Sequence, residues 1–401
     1  MAFSRNSSFT LIELLIVIGV LAVLATVAVL ALNPTELVKQ ARDSNRIADL
    51  ATINKALSVY QSSGQTNLGT LNTVYISIPD STTTCANLGL PTLPSGWSYA
   101  CVSSSTLRDS DGTGWIPVNF NLVSYGSPLE KLPVDPINTT STGNCYTYVM
   151  GGSWKLAARF ESAKYTAQAG KDGGPDPSIY EEGTDVNLAP FVGGLVGYWK
   201  FDESAGVLSD SSGYGNNGTQ SGGVTYAIPG LKGSALSFDG VDDYVSFSNN
   251  GALADVADGN SKPFTLMAWV NMQSGGTHLQ FILARNGYHI GLVFGAQTTF
   301  SFALYNAAGQ SSLAQSLGNS YSQWYHVAGV WDGAGMTLYT NGQAKNTNSM
   351  TGPLRDVGNI IFVGGYANSV DYYSKAIIDN VRIYNRGLTS SEIQTIYNAG
   401  E

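Results

Sequence analysis

At 401 residues the chain is too long for one ordinary hydrophobic core, which points to two folded units plus an accessory segment. Only 12% of the residues are charged, 43% are apolar and 46 are glycine, a composition of ordered, turn-rich structure rather than disorder. The formal charge of −9 argues against a nucleic-acid partner, since no basic stripe is present, and it leaves carboxylates available for divalent cations.

Leu11 to Leu32 form an apolar run of bilayer-spanning length that contains one acid, Glu13, placed where the first turn of a helix favours negative charge. After Asn33-Pro34, Ile47, Leu50, Ile53, Leu57 and Tyr60 recur at three- and four-residue steps, the apolar face of a second helical stretch that Gly64 ends. The two stretches read as one long helix over residues 9–64, greasy then amphipathic, with a kink at Pro34. A cleaved secretory signal would be shorter and followed by a small-residue site. Arg5 precedes the run while Lys39, Arg42 and Arg46 follow it, so flanking charge does not orient the helix.

Residues 65–170 read as a small globular unit. Val74–Ile78 and Trp97–Cys101 are short strand candidates, and Cys145–Met150, Gly151-Gly152 and Ser153–Phe160 read as a hairpin, with Trp154, Leu156, Ala158 and Phe160 on one face. Cys85, Cys101 and Cys145 allow three single pairings, and a Cys85–Cys101 bridge would close a loop of about 16 residues, worth roughly 3 kcal/mol. Residues 171–194, dense in Gly, Pro and Asp and without periodicity, are read as a linker.

Residues 195–401 alternate short strands with Gly/Asn/Asp turns, the pattern of a sandwich or jelly roll. Ser234–Phe238 turns through Asp239-Gly240 into Tyr244–Phe247; Phe264–Val270 and Trp324–Trp331 alternate; Ile377–Tyr384 is the last strand candidate; Asn341-Gly342 is a strong hairpin signal. Thr389 and Glu392 have the spacing of a helix capping box. No Glu-x-Asp-x-x-Glu segment supplies the paired acids of a sandwich-type glycosidase. His278, His289 and His326 are scattered, and His326 sits in an alternating strand as a structural residue. Binding is therefore expected over catalysis, and no catalytic residue is assigned.

Two stretches resemble known families. Phe9-Thr10-Leu11-Ile12-Glu13-Leu14-Leu15-Ile16-Val17-Ile18 looks like the N-terminal signature of type IV pilins and type II secretion pseudopilins. That resemblance implies residues 1–8 as a leader, cleavage between Ser8 and Phe9 by a prepilin peptidase, methylation of Phe9, and Glu13 facing the Phe9 amine of a neighbouring subunit. The family usually has Gly before the cut, where this chain has Ser8. It also implies a long helix packed on a small antiparallel sheet, an α+β fold, and Leu132-Pro133-Val134-Asp135-Pro136 resembles the family's Pro/Asp-rich loop. In some members a nearby loop holds calcium; here Lys171–Asp176 is read as a turn.

The second resemblance rests on Val196–Glu203, Asp210–Gly218, Phe238–Val245 and Ile378–Arg386, which look like pieces of concanavalin A-like, laminin-G-type jelly-roll domains. It implies an all-β sandwich whose first and last strands pair antiparallel. That pairing would bring Asp202 near Asp379, with Asp210 in the following loop, as a candidate calcium site. Together the two resemblances imply a minor pilin or pilus-associated adhesin that binds a glycan or surface protein. Its expected partners are the membrane, prepilin peptidase and other pilin subunits. The expected path is a single-pass precursor in the cytoplasmic membrane, then a pilus or pseudopilus at the cell surface. The alternatives are a pseudopilin of a type II-like secretion system and, disfavoured by the missing acid pair, a membrane-tethered glycan hydrolase.

Overall fold

The computed structural model describes residues 11–400 apart from 95, 141–142, 175, 189–192, 249–252, 255, 257–261, 277–278, 286–289, 296–297, 310, 317, 351–352, 356–357, 359 and 367–371. The chain begins with α1 (Leu11–Leu32) and α2 (Pro34–Ser62). Instead of one kinked helix there is a break: Asn33 takes a left-handed conformation (φ 40°), caps α2 with its side chain, and Pro34 opens the new helix, the position where a missing N–H costs nothing. Ser8 and Phe9 lie outside the described residues; Glu13 stands in the first turn of α1.

Among the described residues no helix is long and apolar enough to cross a membrane. This overturns the expectation of a single-pass membrane precursor, and the membrane is withdrawn as a partner with it.

The N-terminal globular part contains β1 (Thr73–Ile76), β2 (Ser98–Ala100), β3 (Tyr146–Met150), β4 (Trp154–Ala158), α3 (Ala163–Ala169) and β5 (Tyr180–Gly183). These strands form one sheet in the order β2-β1-β3-β4-β5, antiparallel except for the parallel β1–β2 pair. The stretch read as a linker thus contributes the edge strand β5. Leu50, Ile53, Leu57 and Tyr60 of α2 pack on the sheet face that carries Tyr146, Tyr148, Trp154 and Leu156. On the opposite face the Cys85–Cys101 disulfide lies among Val74, Ile76, Ile78 and Val149; Cys145 is free.

The buried surface of α2 is not wholly apolar. Arg46 is fully buried and binds Asp135 through Nε (2.6 Å) and Nη2 (2.9 Å), Asp43 at 2.6 Å and Glu161 at 2.7 Å. Asp43 also accepts the backbone N–H of Ser162 at 2.7 Å. The Pro/Asp-rich loop therefore serves as an electrostatic clasp on the helix: the carboxylates satisfy the buried guanidinium, and the Ser162 N–H satisfies Asp43 in turn.

The C-terminal region contains β6 (Leu195–Trp199), β7 (Gly218–Ser221), β8 (Thr225–Pro229), β9 (Ser234–Asp239), β10 (Tyr244–Ser248), β11 (Phe264–Met272), β12 (Gln280–Arg285), β13 (Ile290–Gly295), β14 (Thr299–Tyr305), β15 (Ser311–Ser316), β16 (Trp324–Trp331), β17 (Gly335–Thr340), β18 (Gln343–Ser349), β19 (Ile360–Val363), β20 (Lys375–Tyr384) and α4 (Ser390–Gly400). They build two open sheets rather than a closed barrel. One runs β15-β14-β13-β12-β19-β10-β7; the other runs β18-β17-β16-β11-β20-β9-β8, with β6 paired to β20. The first and last strands pair antiparallel, Trp199 opposite Val381. Inward-facing Val245, Phe247, Leu292, Phe302, Leu266, Val381 and Trp199 fill the space between the sheets, as alternating patterning requires.

The helix α4 covers the outer face of the second sheet through Ile393 and Ile396. Its capping box forms as the spacing predicts: Thr389 N–H donates to Glu392 Oε2 at 2.7 Å, and Glu392 N–H donates to Thr389 Oγ1 at 3.3 Å. Glu392 does more than cap. It accepts Arg159 of the N-terminal part at 3.0 and 3.1 Å and Arg386 of its own region at 2.9 Å. The Tyr384 hydroxyl reaches Asp176 Oδ1 across the same junction at 3.1 Å. The two parts are joined by a buried polar network, not by a free tether.

Candidate functional site

The outer face of the sheet ending in β7 carries rings where an exposed strand surface would carry polar groups. Tyr244 of β10 stands 5.8 Å from Phe362 of β19 and 6.5 Å from Tyr373, measured between ring centroids. Phe362 meets Tyr366 at 5.3 Å, and Phe281 of β12 meets Tyr372 at 5.1 Å. Period-2 alternation places Tyr244 and Phe362 outward while Val245, Phe247, Ile361 and Val363 point into the core. Tyr366 and Tyr372 are half-buried and Tyr244 keeps partial exposure, so each of these residues keeps part of its surface exposed. The turn that brings Tyr373 here needs glycine: a Cβ on Gly365 would fall 2.4 Å from the Tyr373 ring.

At one corner of this face, where the chain crosses from β9 to β10, three carboxylates converge. Oxygens of Asp239, Asp242 and Asp243 lie within 4.8 Å of one another. Asp243 is buried, and its oxygens accept the N–H groups of Gly223 and, at 2.9 Å, Asp239. Burial raises the Asp243 carboxyl above its ordinary range, the two amides pull it back, and the charges of Asp239 and Asp242 add to the rise. Hard oxygen donors crowded at such spacing are the chemistry of a calcium ligand set. Asp243 directly precedes Tyr244 in the chain, so the acidic corner borders the aromatic face.

The carboxylates expected from sequence are used otherwise. Asp202 Oδ1 accepts Ser234 N–H at 2.8 Å, and Asp379 Oδ2 accepts Leu231 N–H at 3.0 Å, so both hold the loop between β8 and β9. Burial pushes the Asp379 carboxyl up to about 7 against the pull of those amides, with a further rise from Asp202. Asp210 is committed to the backbone N–H groups of Tyr198, Ser212 and Asn216 at 2.9–3.0 Å, the stabilising use of an acid in a turn. Among the described residues the trio that meets is Asp239, Asp242 and Asp243 instead. Its signal, three acids in five residues, was visible in the sequence, but only the sheet crossover aims them at one point. His326 is fully buried and its imidazole is pushed down to about 3, first by burial and then by Arg382, which makes it a neutral core residue. His278 and His289 lie outside the described residues.

Residues 239–394 match the family model for the concanavalin A-like lectin/glucanases superfamily, and residues 3–29 match the prokaryotic N-terminal methylation motif. The chain joins a prepilin-type methylation motif to a concanavalin A-like domain. The acidic trio and the aromatic corner fall inside or beside the matched stretch. No curated protein matches this chain. Among solved structures, domain 4 of an extracellular arabinanase from Geobacillus stearothermophilus, in complex with arabinotriose, is 22% identical, with 52% of this chain and 98% of that one covered and a TM-score of 0.40. The binding domain of a Paraclostridial mosquitocidal protein is 16% identical with a TM-score of 0.42; 51% of this chain is covered and about half, 52%, of that one. A Trypanosoma rangeli sialidase is 17% identical over 61% of this chain and 42% of its own, with a TM-score of 0.41. Likenesses of this depth transfer no ligand to the concanavalin A-like domain.

Proposed function

We propose that this chain is a pilin-type filament subunit, a minor pilin or pilus-associated adhesin, whose concanavalin A-like domain binds a glycan or a surface protein. The observation that carries the reading is the methylation motif on a helix whose described side chains, Leu11 to Ala22, are all exposed. Leu11 is 81% exposed, Ile12 69% and Leu21 58%, a degree of apolar exposure that calls for packing against other helices. Pilin-type assembly supplies such neighbours, and α2 on its sheet supplies the body such a subunit needs. Cleavage by a prepilin peptidase before Phe9, with Glu13 paired to a neighbouring Phe9 amine, belongs to this reading.

The displayed domain is read as a binding module rather than an enzyme. None of the seven strands of the aromatic sheet contains an Asp or Glu, whereas glycoside hydrolysis needs two carboxylates across the scissile bond. Aromatic side chains give a ligand large contact area with little entropy to lose. A glycan and matrix-protein array probed with the full chain tests the reading. Binding that drops in both Tyr366→Ala and Tyr372→Ala, with melting unchanged, supports the aromatic face as the site. Array binding that both variants retain in full contradicts it.

A further inference from the structure

On the opposite sheet, a cavity of about 240 Å³ opens between the end of α4 and strands β6, β11 and β20. Tyr198, Trp269 and Arg382 wall it, and Lys200, Lys232 and Asp202 stand at its rim. Arg382 is only 8% exposed and Trp269 only 3%. The guanidinium lies 4.1 Å over the Tyr198 ring, and its Nη2 donates to the Tyr198 hydroxyl at 2.9 Å. That hydroxyl donates in turn to Asn380 Oδ1 at 2.8 Å, so the arginine is held in one orientation.

Two donors in this wall are left over. Arg382 Nε and the Trp269 indole N–H are buried and reach no acceptor among the described residues. Neither group can accept a hydrogen bond, and leaving a buried donor unsatisfied costs about 1–3 kcal/mol. The missing partner must therefore be an acceptor. Among the described residues, three cationic side chains surround the cavity against one carboxylate, Asp202, whose Oδ1 is already held by Ser234 N–H. Charge and hydrogen-bond inventory agree on an anion.

We propose that this cavity binds the carboxylate of an acidic sugar residue. A carboxylate accepts only, and its planar pair of oxygens suits an arginine held edge-on beside an indole N–H. The cavity is larger than a bare carboxylate needs, which leaves room for the ring that carries it, with the lysines at the rim beside that ring. The site stands apart from the aromatic face and acidic trio, so either can fail without the other.

Isothermal titration of the full chain with sodium D-glucuronate tests it, with methyl glucoside and sodium acetate as controls. Glucuronate is expected to bind roughly tenfold more tightly than either control, and Arg382→Met should weaken it by roughly tenfold. Lys200→Ser, an exposed change that leaves the fold alone, should weaken it severalfold, and Asp202→Asn should strengthen it by removing a like charge. A neutral glycoside or bare acetate that binds as tightly as glucuronate overturns the proposal. So does binding that survives both Arg382→Met and Lys200→Ser, or binding abolished by Asp202→Asn, which is how a cation-bridged site behaves.

Discussion

Glu392→Gln is the substitution with the most informative expected outcome. The carboxylate is 1% exposed and takes hydrogen bonds from Arg159, Arg386 and the Thr389 backbone. Burial alone would raise its pKa, but the two arginines and the cap bring it from 4.5 down to about 2. At 1.36 kcal/mol per pH unit, that difference corresponds to about 3 kcal/mol favouring the charged, folded form. A depressed carboxylate stabilises above its unfolded pKa and loses that contribution as pH falls through the folded value. The wild-type chain should therefore lose this contribution between about pH 4.5 and 2. Glu392→Gln should melt roughly 6–12 °C lower at pH 7, taking 2–4 °C per kcal/mol for a region of this size, and lack that step. Because Arg159 lies in the N-terminal part, a cycle with Arg159→Met isolates the coupling across the junction. Equal melting of Glu392→Gln and wild type at pH 7, or an additive cycle, would refute the view that this network joins the two parts.

Two further outcomes follow from the same physics. Arg46→Met strands Asp43 and Asp135 as buried, uncompensated charges and should cost roughly 3–5 kcal/mol, read by denaturant unfolding of the N-terminal part. Arg42→Met, which removes only a partly exposed pair with Glu161, should cost no more than about 1 kcal/mol. Calcium should raise the melting temperature of the concanavalin A-like domain, and Asp239→Asn with Asp242→Asn should erase that rise while Asp202→Asn leaves it intact; a shift retained by the double variant rules out the acidic trio.

Local signals carried much of the fold. Gly151-Gly152 turns β3 into β4 with Gly152 at φ 94°, and Asn341-Gly342 turns β17 into β18 with both residues at positive φ, because tight hairpins demand that backbone. The apolar positions of α2 and the alternation of β10, β11 and β16 also read through directly. What the sequence concealed is convergence at long range. Arg46 meets Asp135 from 89 residues away and Glu161 from 115, and no periodicity marks a buried ion pair. The aromatic face gathers Tyr244, Phe281, Phe362 and Tyr372 from four separate stretches. β5 was hidden because an edge strand of Tyr, Glu and Gly beside a Gly/Pro-rich turn has no alternation to show. Pro34 predicts a kink, but the left-handed Asn33 before it does the turning and Pro34 opens the helix that follows.

The central claim is that this chain is processed at its methylation motif and packed into a filament through α1. The direct measurement is the N-terminal mass of the chain recovered from sheared filaments. A chain that begins at N-methylated Phe9 is the expected result. Absence of the chain from filaments, or recovery with Met1 intact, would contradict the account.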